Sequence, residues 1–157
     1  MPSVLPQPRS LAAGFLAGLV GGILIAVALL VMSRLLLHAD VTLAGFFQSD
    51  AALVVGKTAY GSPAYAALGA AFHVLVSIGW AVGYAYMAER ESQLVTRPLT
   101  SGAGFGVVVY FVMQLVLVAG NAYHIPAPAE LGVALTAHIV FFGIPVASIV
   151  ARALRAR

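Results

Sequence analysis

The sequence predicts an all-α integral membrane protein built on four transmembrane helices, and three observations lead to this fold class. The 157-residue chain is 62% hydrophobic, with a mean hydropathy of +1.02. Only 8% of its residues are charged, whereas a soluble domain carries about a quarter. Four apolar stretches also reach the roughly 20 residues that a helix needs to cross a bilayer. So few charges cannot cover a globule with solvated surface, which excludes soluble, nucleic-acid-binding and disordered proteins.

The four stretches form a single expected domain over 1–157, with spans at about 10–37, 64–88, 99–120 and 130–152. The first stretch exceeds the roughly 7–15-residue apolar core of a signal peptide and has no clear small-x-small cleavage site, so it is interpreted as a membrane helix. Pro63 and Pro98 stand where helices are expected to begin, a position that proline tolerates.

A shorter apolar segment, 41–55, follows the first span and is too short to cross a bilayer. It is expected to lie as a helix at the outer membrane interface, with Phe46 and Phe47 in lipid. All acidic residues of the chain, including Asp50, are placed by this interpretation outside the membrane core.

The basic residues predict the orientation of the bundle. Two of them, Arg34 and Lys57, fall on one side of the expected membrane, and the other six fall on the opposite side: Arg9, Arg90, Arg97, Arg152, Arg155 and Arg157. Because cytoplasmic loops carry the excess of Lys and Arg, both termini are expected in the cytoplasm. The predicted location is a bacterial inner membrane, crossed several times.

The two halves of the chain resemble each other, which suggests a 2+2 parallel internal repeat. The first span opens with LAAGFLAGLV (11–20) and the third with LTSGAGFGVV (99–108), which share the pattern L-x-x-G-x-x-x-G. The second and fourth spans each contain one histidine, His73 and His138. Copies that are each two spans long run in the same direction and are related by an axis along the membrane normal.

Glycines recur every four residues in the first and third spans, at Gly14, Gly18, Gly22, Gly102 and Gly106. Small residues at this spacing let helix backbones approach closely in lipid, where van der Waals packing drives association. Packing within the bundle is the favoured interpretation of these glycines, and a homodimer contact is the alternative.

Polar side chains inside the spans are few, and four of them are expected to form a cluster: His73, Ser77, Gln114 and His138. The two histidines lie about eight or nine residues from the outer ends of their spans, or some 12–14 Å deep at about 1.5 Å per residue. Gln114 runs in the opposite direction at a somewhat shallower depth. Thr136 is a further polar residue of the fourth span.

Four chemistries are open to the two histidines. His73 and His138 could be the axial ligands of a haem b, since one histidine from each of two helices at equal depth suits bis-imidazole ligation. They could relay protons or respond to pH, because imidazole titrates near neutrality. A metal site is weaker, since two histidines without a carboxylate fall short of a usual ligand set. The simplest interpretation is a neutral histidine whose hydrogen bonds hold the bundle together.

No catalytic constellation is recognisable in the sequence. The chain has no cysteine, which excludes disulfides, thiol nucleophiles and Cys-ligated metals. It contains no Gly-rich phosphate loop, Ser–His–Asp set or paired catalytic carboxylates. The prediction is therefore a protein that is not an enzyme, with no catalytic residues and no resident metal.

One segment resembles a known family. HVLVSIGWAVGYAYMAE (73–89) is similar to the H-x-x-x-S-I-x-x-A-V-G-Y-x-x-x-A-E segment of the YagU-type small bacterial inner-membrane proteins. The resemblance extends over about 64–157, into a proline-containing loop, then Glu130 and the histidine-bearing last span. It implies the location and topology given above, but no substrate, because this family has no established enzymatic activity.

These observations favour a structural or accessory membrane protein, with a pH response or a place as an auxiliary subunit of a larger membrane complex. The alternatives are a bis-histidine haem-b electron carrier and a small transporter or channel that needs oligomerisation. The expected partners are the lipid bilayer and either a second copy or a larger complex, and no nucleic acid.

Overall fold

The computed structural model describes residues 7–119 and 125–156, and every regular element within them is helical. We number the helices α1 to α6 and treat the last as one continuous helix. Their bounds are α1 Pro8–Leu36, α2 Leu43–Val55, α3 Ala64–Ala88, α4 Ser92–Thr96, α5 Pro98–Ala119 and α6 Pro128–Arg155. A 3₁₀ segment, Gly56–Gly61, joins α2 to α3.

Four of these helices, α1, α3, α5 and α6, are long and apolar enough to cross a membrane, which confirms the all-helical fold with four candidate spans. Their limits agree with the expected spans to within a few residues. Gly120, the expected last residue of the third span, and Arg157 lie outside the described residues. Proline is the first residue of α1, α5 and α6, where its missing N–H leaves no intrahelical bond unmade.

α1 and α6 form the centre of the bundle, because α1 packs against both α3 and α6, and α5 packs against α6. Large apolar side chains on the outer surfaces remain exposed, for example Ile23 at 61% and Leu75 at 68%. A soluble protein rarely exposes such a continuous apolar surface. Lipid is the solvent that suits these helix faces.

The α1–α3 contact depends on the glycines of α1. A Cβ on Gly18 would lie 2.5 Å from the Cα of Ile78, and a Cβ on Gly14 would lie 2.7 Å from the Cα of Val82. Since two non-bonded carbon atoms in contact prefer a separation of about 3.5–4.0 Å, no side chain fits at either position. The structure thus places Gly14, Gly18 and Gly22 at a contact within the bundle.

The α5–α6 contact has the same character but a different register. A Cβ on Gly106 would lie 2.7 Å from the Cα of Ile139, and one on Gly102 would lie 2.7 Å from the Cα of Ile144. α6 advances five residues between these two contacts, whereas α3 advances four between Ile78 and Val82. The extra residue falls within a π-helical segment, His138–Gly143, since a π turn takes up one more residue than an α turn.

We call the end of the bundle that holds Gln7 and Ala156, the first and last described residues, the basic end, and the opposite end the loop end. At the basic end, the Tyr84 hydroxyl lies 2.9 Å from Oγ of Ser101 and donates to the Leu94 carbonyl at 3.3 Å. The Phe105 ring packs on Tyr84, with centroids 4.8 Å apart. Among the described residues, these contacts tie α3 to α5 near the basic end, and the space between the two helices opens toward the loop end.

Candidate functional site

His73 is held by two other helices. Its Nδ1 lies 3.1 Å from Oδ2 of Asp50 in α2, and its Nε2 lies 3.0 Å from the carbonyl oxygen of Gly22 in α1. Both side chains are largely enclosed, with 15% of His73 and 26% of Asp50 exposed. The imidazole therefore links α1, α2 and α3 at one point.

The partners of His73 determine where the protons are. A carbonyl oxygen only accepts hydrogen bonds, so Nε2 must carry a hydrogen to bond Gly22. Nδ1 can then bond Asp50 in two ways: as an imidazolium that donates to the carboxylate, or as a neutral ring that accepts from the carboxylic acid. Either form holds one proton more than a neutral imidazole beside a carboxylate, which could make only one of the two bonds.

The phenylalanines of α2 pack on this histidine. The rings of Phe46 and Phe47 each lie 5.8 Å from the His73 ring in edge-to-face geometry. The structure thus differs from the expectation that both rings face lipid from an interfacial helix. α2 packs directly on α3, where Gly69 leaves room for the Phe47 backbone to approach.

Asp50 is the functional candidate that sequence reasoning missed. The sequence places it outside the membrane core, in a helix at the outer interface, whereas in the structure its carboxylate lies against His73 of α3. One signal was available: Phe46 and Phe47 precede Asp50 by four and three residues, so each of them shares a helix face with it. An acidic residue on the aromatic face of an apolar helix indicates a buried partner.

His138 has a different environment. Its Nδ1 donates to the Ala134 carbonyl one turn earlier in α6 at 2.7 Å, and the Tyr110 ring packs edge-on against it with centroids 5.3 Å apart. Within the described parts of the chain, no residue hydrogen-bonds to its Nε2. With Nδ1 protonated, Nε2 of the neutral ring is an acceptor with an unused lone pair.

A cavity of about 510 Å³ brings the predicted polar cluster together. It lies between α3 and α5, with α1 and α6 behind it and α2 on one side, and its wall includes His73, Ser77, Gln114 and His138. Asp50 joins them. Ser77 is buried at 5% exposure, Gln114 is half-buried and Thr136 is exposed. A smaller cavity of about 260 Å³ adjoins it and shares Gln114.

The two histidines are not equivalent in the bundle. Gly18 of α1 faces Ile78 of α3, and Gly106 of α5 faces Ile139 of α6. When these two contacts are aligned, His138 of α6 matches Ser77 of α3 and not His73. The sequence predicts the two histidines at nearly equal depth, but by this alignment His138 lies one helical turn closer to the basic end than His73 does.

The residues do not fit a bis-histidine haem in this arrangement. Iron ligation requires a ring nitrogen without another partner, yet both nitrogens of His73 are engaged, with Asp50 and Gly22. A porphyrin between the two histidines would have to displace α2 or break the contact with α1. Among residues 7–119 and 125–156, no group of three His, Asp or Glu side chains could hold a metal ion.

Comparison of the chain with models of protein families, with curated proteins and with solved structures found no match.

Proposed function

We propose that this chain is a small accessory membrane protein in which pH controls the docking of α2 onto the bundle. One observation carries the proposal: Nδ1 of His73 in α3 lies 3.1 Å from Oδ2 of Asp50 in α2, while Nε2 of the same ring bonds the Gly22 carbonyl of α1. This contact joins α2 to α3, on which α2 packs, and through His73 to α1, so its protonation state bears directly on how α2 is held.

The direction of the pH response follows from the proton count. The docked arrangement needs the extra proton to make both hydrogen bonds of His73, so docking and proton binding favour each other. α2 is therefore held more firmly at low pH and less firmly as pH rises. A hydrogen bond to a charged group contributes about 1.5–3 kcal/mol, or a change of about tenfold or more in the docking equilibrium.

Few other titratable groups face His73. α1 presents the uncharged Gly22, while α6 and α5 present His138 and Tyr110 on the same cavity, and the 3₁₀ segment presents Tyr60. Asp50 is thus the charged partner of His73 among the described residues, and substitution of Asp50 isolates the response.

Cysteine accessibility tests this proposal in a chain without native cysteine. Ala51→Cys places a thiol on the fully buried face of α2, and Val54→Cys places one at a position that is 56% exposed. The labelling ratio is the maleimide labelling rate at position 51 divided by the rate at position 54. Both rates increase with pH as thiols ionise, and this common dependence cancels in the ratio. We expect this ratio to rise about tenfold between pH 5 and 8.

Asp50→Asn supplies the matched control. An asparagine amide can donate to Nδ1 of a neutral His73 while Nε2 still bonds Gly22, so no extra proton is needed. In this background the labelling ratio should stay low at both pH values. A ratio that does not change with pH in the parent protein, or that rises equally in Asp50→Asn, would refute the proposal.

The location and orientation complete the proposal. We infer a bacterial inner-membrane protein with both termini in the cytoplasm, in line with the resemblance to the YagU-type family. The charges support this: five arginines cluster at the basic end, namely Arg9, Arg90, Arg97, Arg152 and Arg155. A membrane-impermeant maleimide should label Thr58→Cys but not Ser92→Cys in intact cells, and the reverse pattern would invert the topology.

The parallel repeat and the accessory role are part of the same proposal. In each half, the glycines of the first long helix receive the backbone of the second, α1 on α3 and α5 on α6. This shared pattern supports a duplicated helix pair. Because these glycines are used within the bundle, a homodimer or a larger membrane complex would have to use the other, exposed apolar faces.

A further inference from the structure

The cavity between α3 and α5 has properties that the docking of α2 does not explain. At about 510 Å³ it falls within the range of about 300–1,000 Å³ that is typical of small-molecule sites. Trp80 lines this cavity and packs edge-on against Phe105, with ring centroids 6.2 Å apart. The contact between Tyr84 and Ser101 holds the two helices together below it.

The wall of this cavity suits a flat ring. Aromatic side chains come from four different helices: Phe46 from α2, Phe72 and Trp80 from α3, Tyr110 from α5 and Phe142 from α6. Aromatic rings favour one another in stacked or edge-on arrangements with centroids about 4.5–7 Å apart. A cavity surrounded on several sides by rings thus selects an aromatic molecule over a flexible acyl chain.

Two polar groups on the wall have hydrogen-bonding capacity left. Nε2 of His138 keeps an acceptor lone pair, because Nδ1 donates to Ala134. The amide of Gln114 makes no hydrogen bond with any described residue and can both donate and accept. Tyr110, packed edge-on, fixes the orientation of the His138 ring. Together they provide an acceptor for a hydroxyl proton and a donor for an oxygen.

The charges on the wall exclude an ionic ligand. Asp50 and His73 satisfy each other at 3.1 Å, and among the described lining residues no further carboxylate, lysine or arginine is present. An ion brought into such an apolar site would lose its hydration without a partner, which costs several kcal/mol. An uncharged molecule that partitions into lipid meets no such penalty.

We propose that this cavity binds an uncharged, lipid-soluble molecule with a hydroxylated aromatic ring, the chemical class of phenols and quinols. Its hydroxyl donates to Nε2 of His138, its oxygen accepts from the Gln114 amide, and its ring lies among the aromatic side chains. This function goes beyond the pH-dependent docking of α2 and does not rest on it.

The test compares two probes that differ only in the hydroxyl proton. 1-Naphthol can donate a hydrogen bond, whereas 1-methoxynaphthalene has nearly the same ring and no donor. Equilibrium dialysis against the purified full-length protein, with protein-free micelles as the reference for partitioning, gives both affinities. We expect saturable binding of 1-naphthol that is at least tenfold tighter than binding of 1-methoxynaphthalene.

His138→Phe removes the acceptor and keeps an aromatic ring against Tyr110. It should abolish the preference for 1-naphthol and leave the affinity for 1-methoxynaphthalene unchanged. Gln114→Leu, on another helix, removes the donor to an oxygen that both probes carry, so it should weaken the binding of both probes, and it tests the site if the His138 variant does not fold. His38→Gln, at an exposed position outside the cavity, is the control that should retain full selectivity.

Two results would overturn the proposal: no saturable binding of 1-naphthol, or equal affinity for the two probes in the parent protein. Neither result affects the docking proposal, because labelling of α2 depends on Asp50 and His73, and not on His138. Conversely, a labelling ratio that ignores pH leaves the selectivity of the cavity untouched. The two proposals thus fail separately.

Discussion

Gly18 offers the sharpest test of the helix packing, because a single methyl group is enough. In Gly18→Ala the new Cβ would lie 2.5 Å from the Cα of Ile78, whereas carbons in contact need about 3.5–4.0 Å. α1 and α3 must therefore separate by about 1 Å. The Nε2–O distance between His73 and Gly22, now 3.0 Å, would then lie beyond the length of a normal hydrogen bond.

The cost of this substitution can be estimated from two contributions. Overpacking of a close contact costs about 1–3 kcal/mol, and a weakened hydrogen bond adds about 1 kcal/mol. Replacing glycine by alanine inside a helix returns up to about 1 kcal/mol. We therefore expect Gly18→Ala to lower the free energy of unfolding by about 1–3 kcal/mol.

Gly79→Ala is the matched control, because it lies in α3 and a Cβ there meets nothing within 4 Å. It keeps the gain in helix propensity and adds no clash, so its stability should equal or exceed that of the parent protein. Both variants can be compared by reversible denaturation in the same detergent. Equal stability of Gly18→Ala and Gly79→Ala would refute the packing argument.

Two further predictions concern the other helix contacts. Gly106→Ala should destabilise the protein by about 1–3 kcal/mol, since its Cβ would lie 2.7 Å from the Cα of Ile139. Gly104→Ala is the control, because a Cβ there lies in open space on the same helix and should not destabilise the protein. The prediction fails if the two variants unfold alike. Tyr84→Phe removes a hydroxyl that lies 2.9 Å from Oγ of Ser101 and should lower the free energy of unfolding by about 1 kcal/mol. A double-mutant cycle with Ser101→Ala should give a non-zero coupling energy, and full additivity would show that the two groups do not interact.

The four long helices could be predicted from the sequence because hydropathy is a local property. A run of about 20 apolar residues is recognisable without knowledge of its neighbours, and prolines such as Pro98 mark where helices begin. Spacing also indicated the close approach at Gly18 and Gly106, although the sequence does not say which residue of the facing helix each glycine meets.

The candidate site could be predicted only in part, because its main contact joins distant parts of the chain. His73 and Asp50 are 23 residues apart, and only the packing of α2 on α3 brings them together. Hydropathy assigned the apolar segment around Asp50 to the membrane surface. The π-helical segment that begins at His138 could not be predicted either. It is recognised by one extra residue between two glycine contacts, which amino-acid composition does not reveal.

Gly22 explains how an ionisable ring comes to lie in so apolar a helix. Its missing side chain lets Ser77 approach, since a Cβ there would lie 2.9 Å from the Ser77 hydroxyl, and this closeness brings the Gly22 carbonyl within reach of His73. Burial of an imidazole is costly unless its nitrogens are hydrogen-bonded, and α1 supplies one partner while Asp50 supplies the other.

The two proposals meet at α2. Phe46 and Asp50 belong both to the face of α2 that packs on His73 and to the wall of the cavity. A molecule that needs this wall binds the docked arrangement more tightly than the undocked one. The proton shared by Asp50 and His73 favours the same arrangement, so proton and ligand strengthen each other's binding by the same factor. A weak preference for low pH in ligand affinity is thus the thermodynamic signature that joins the two sites.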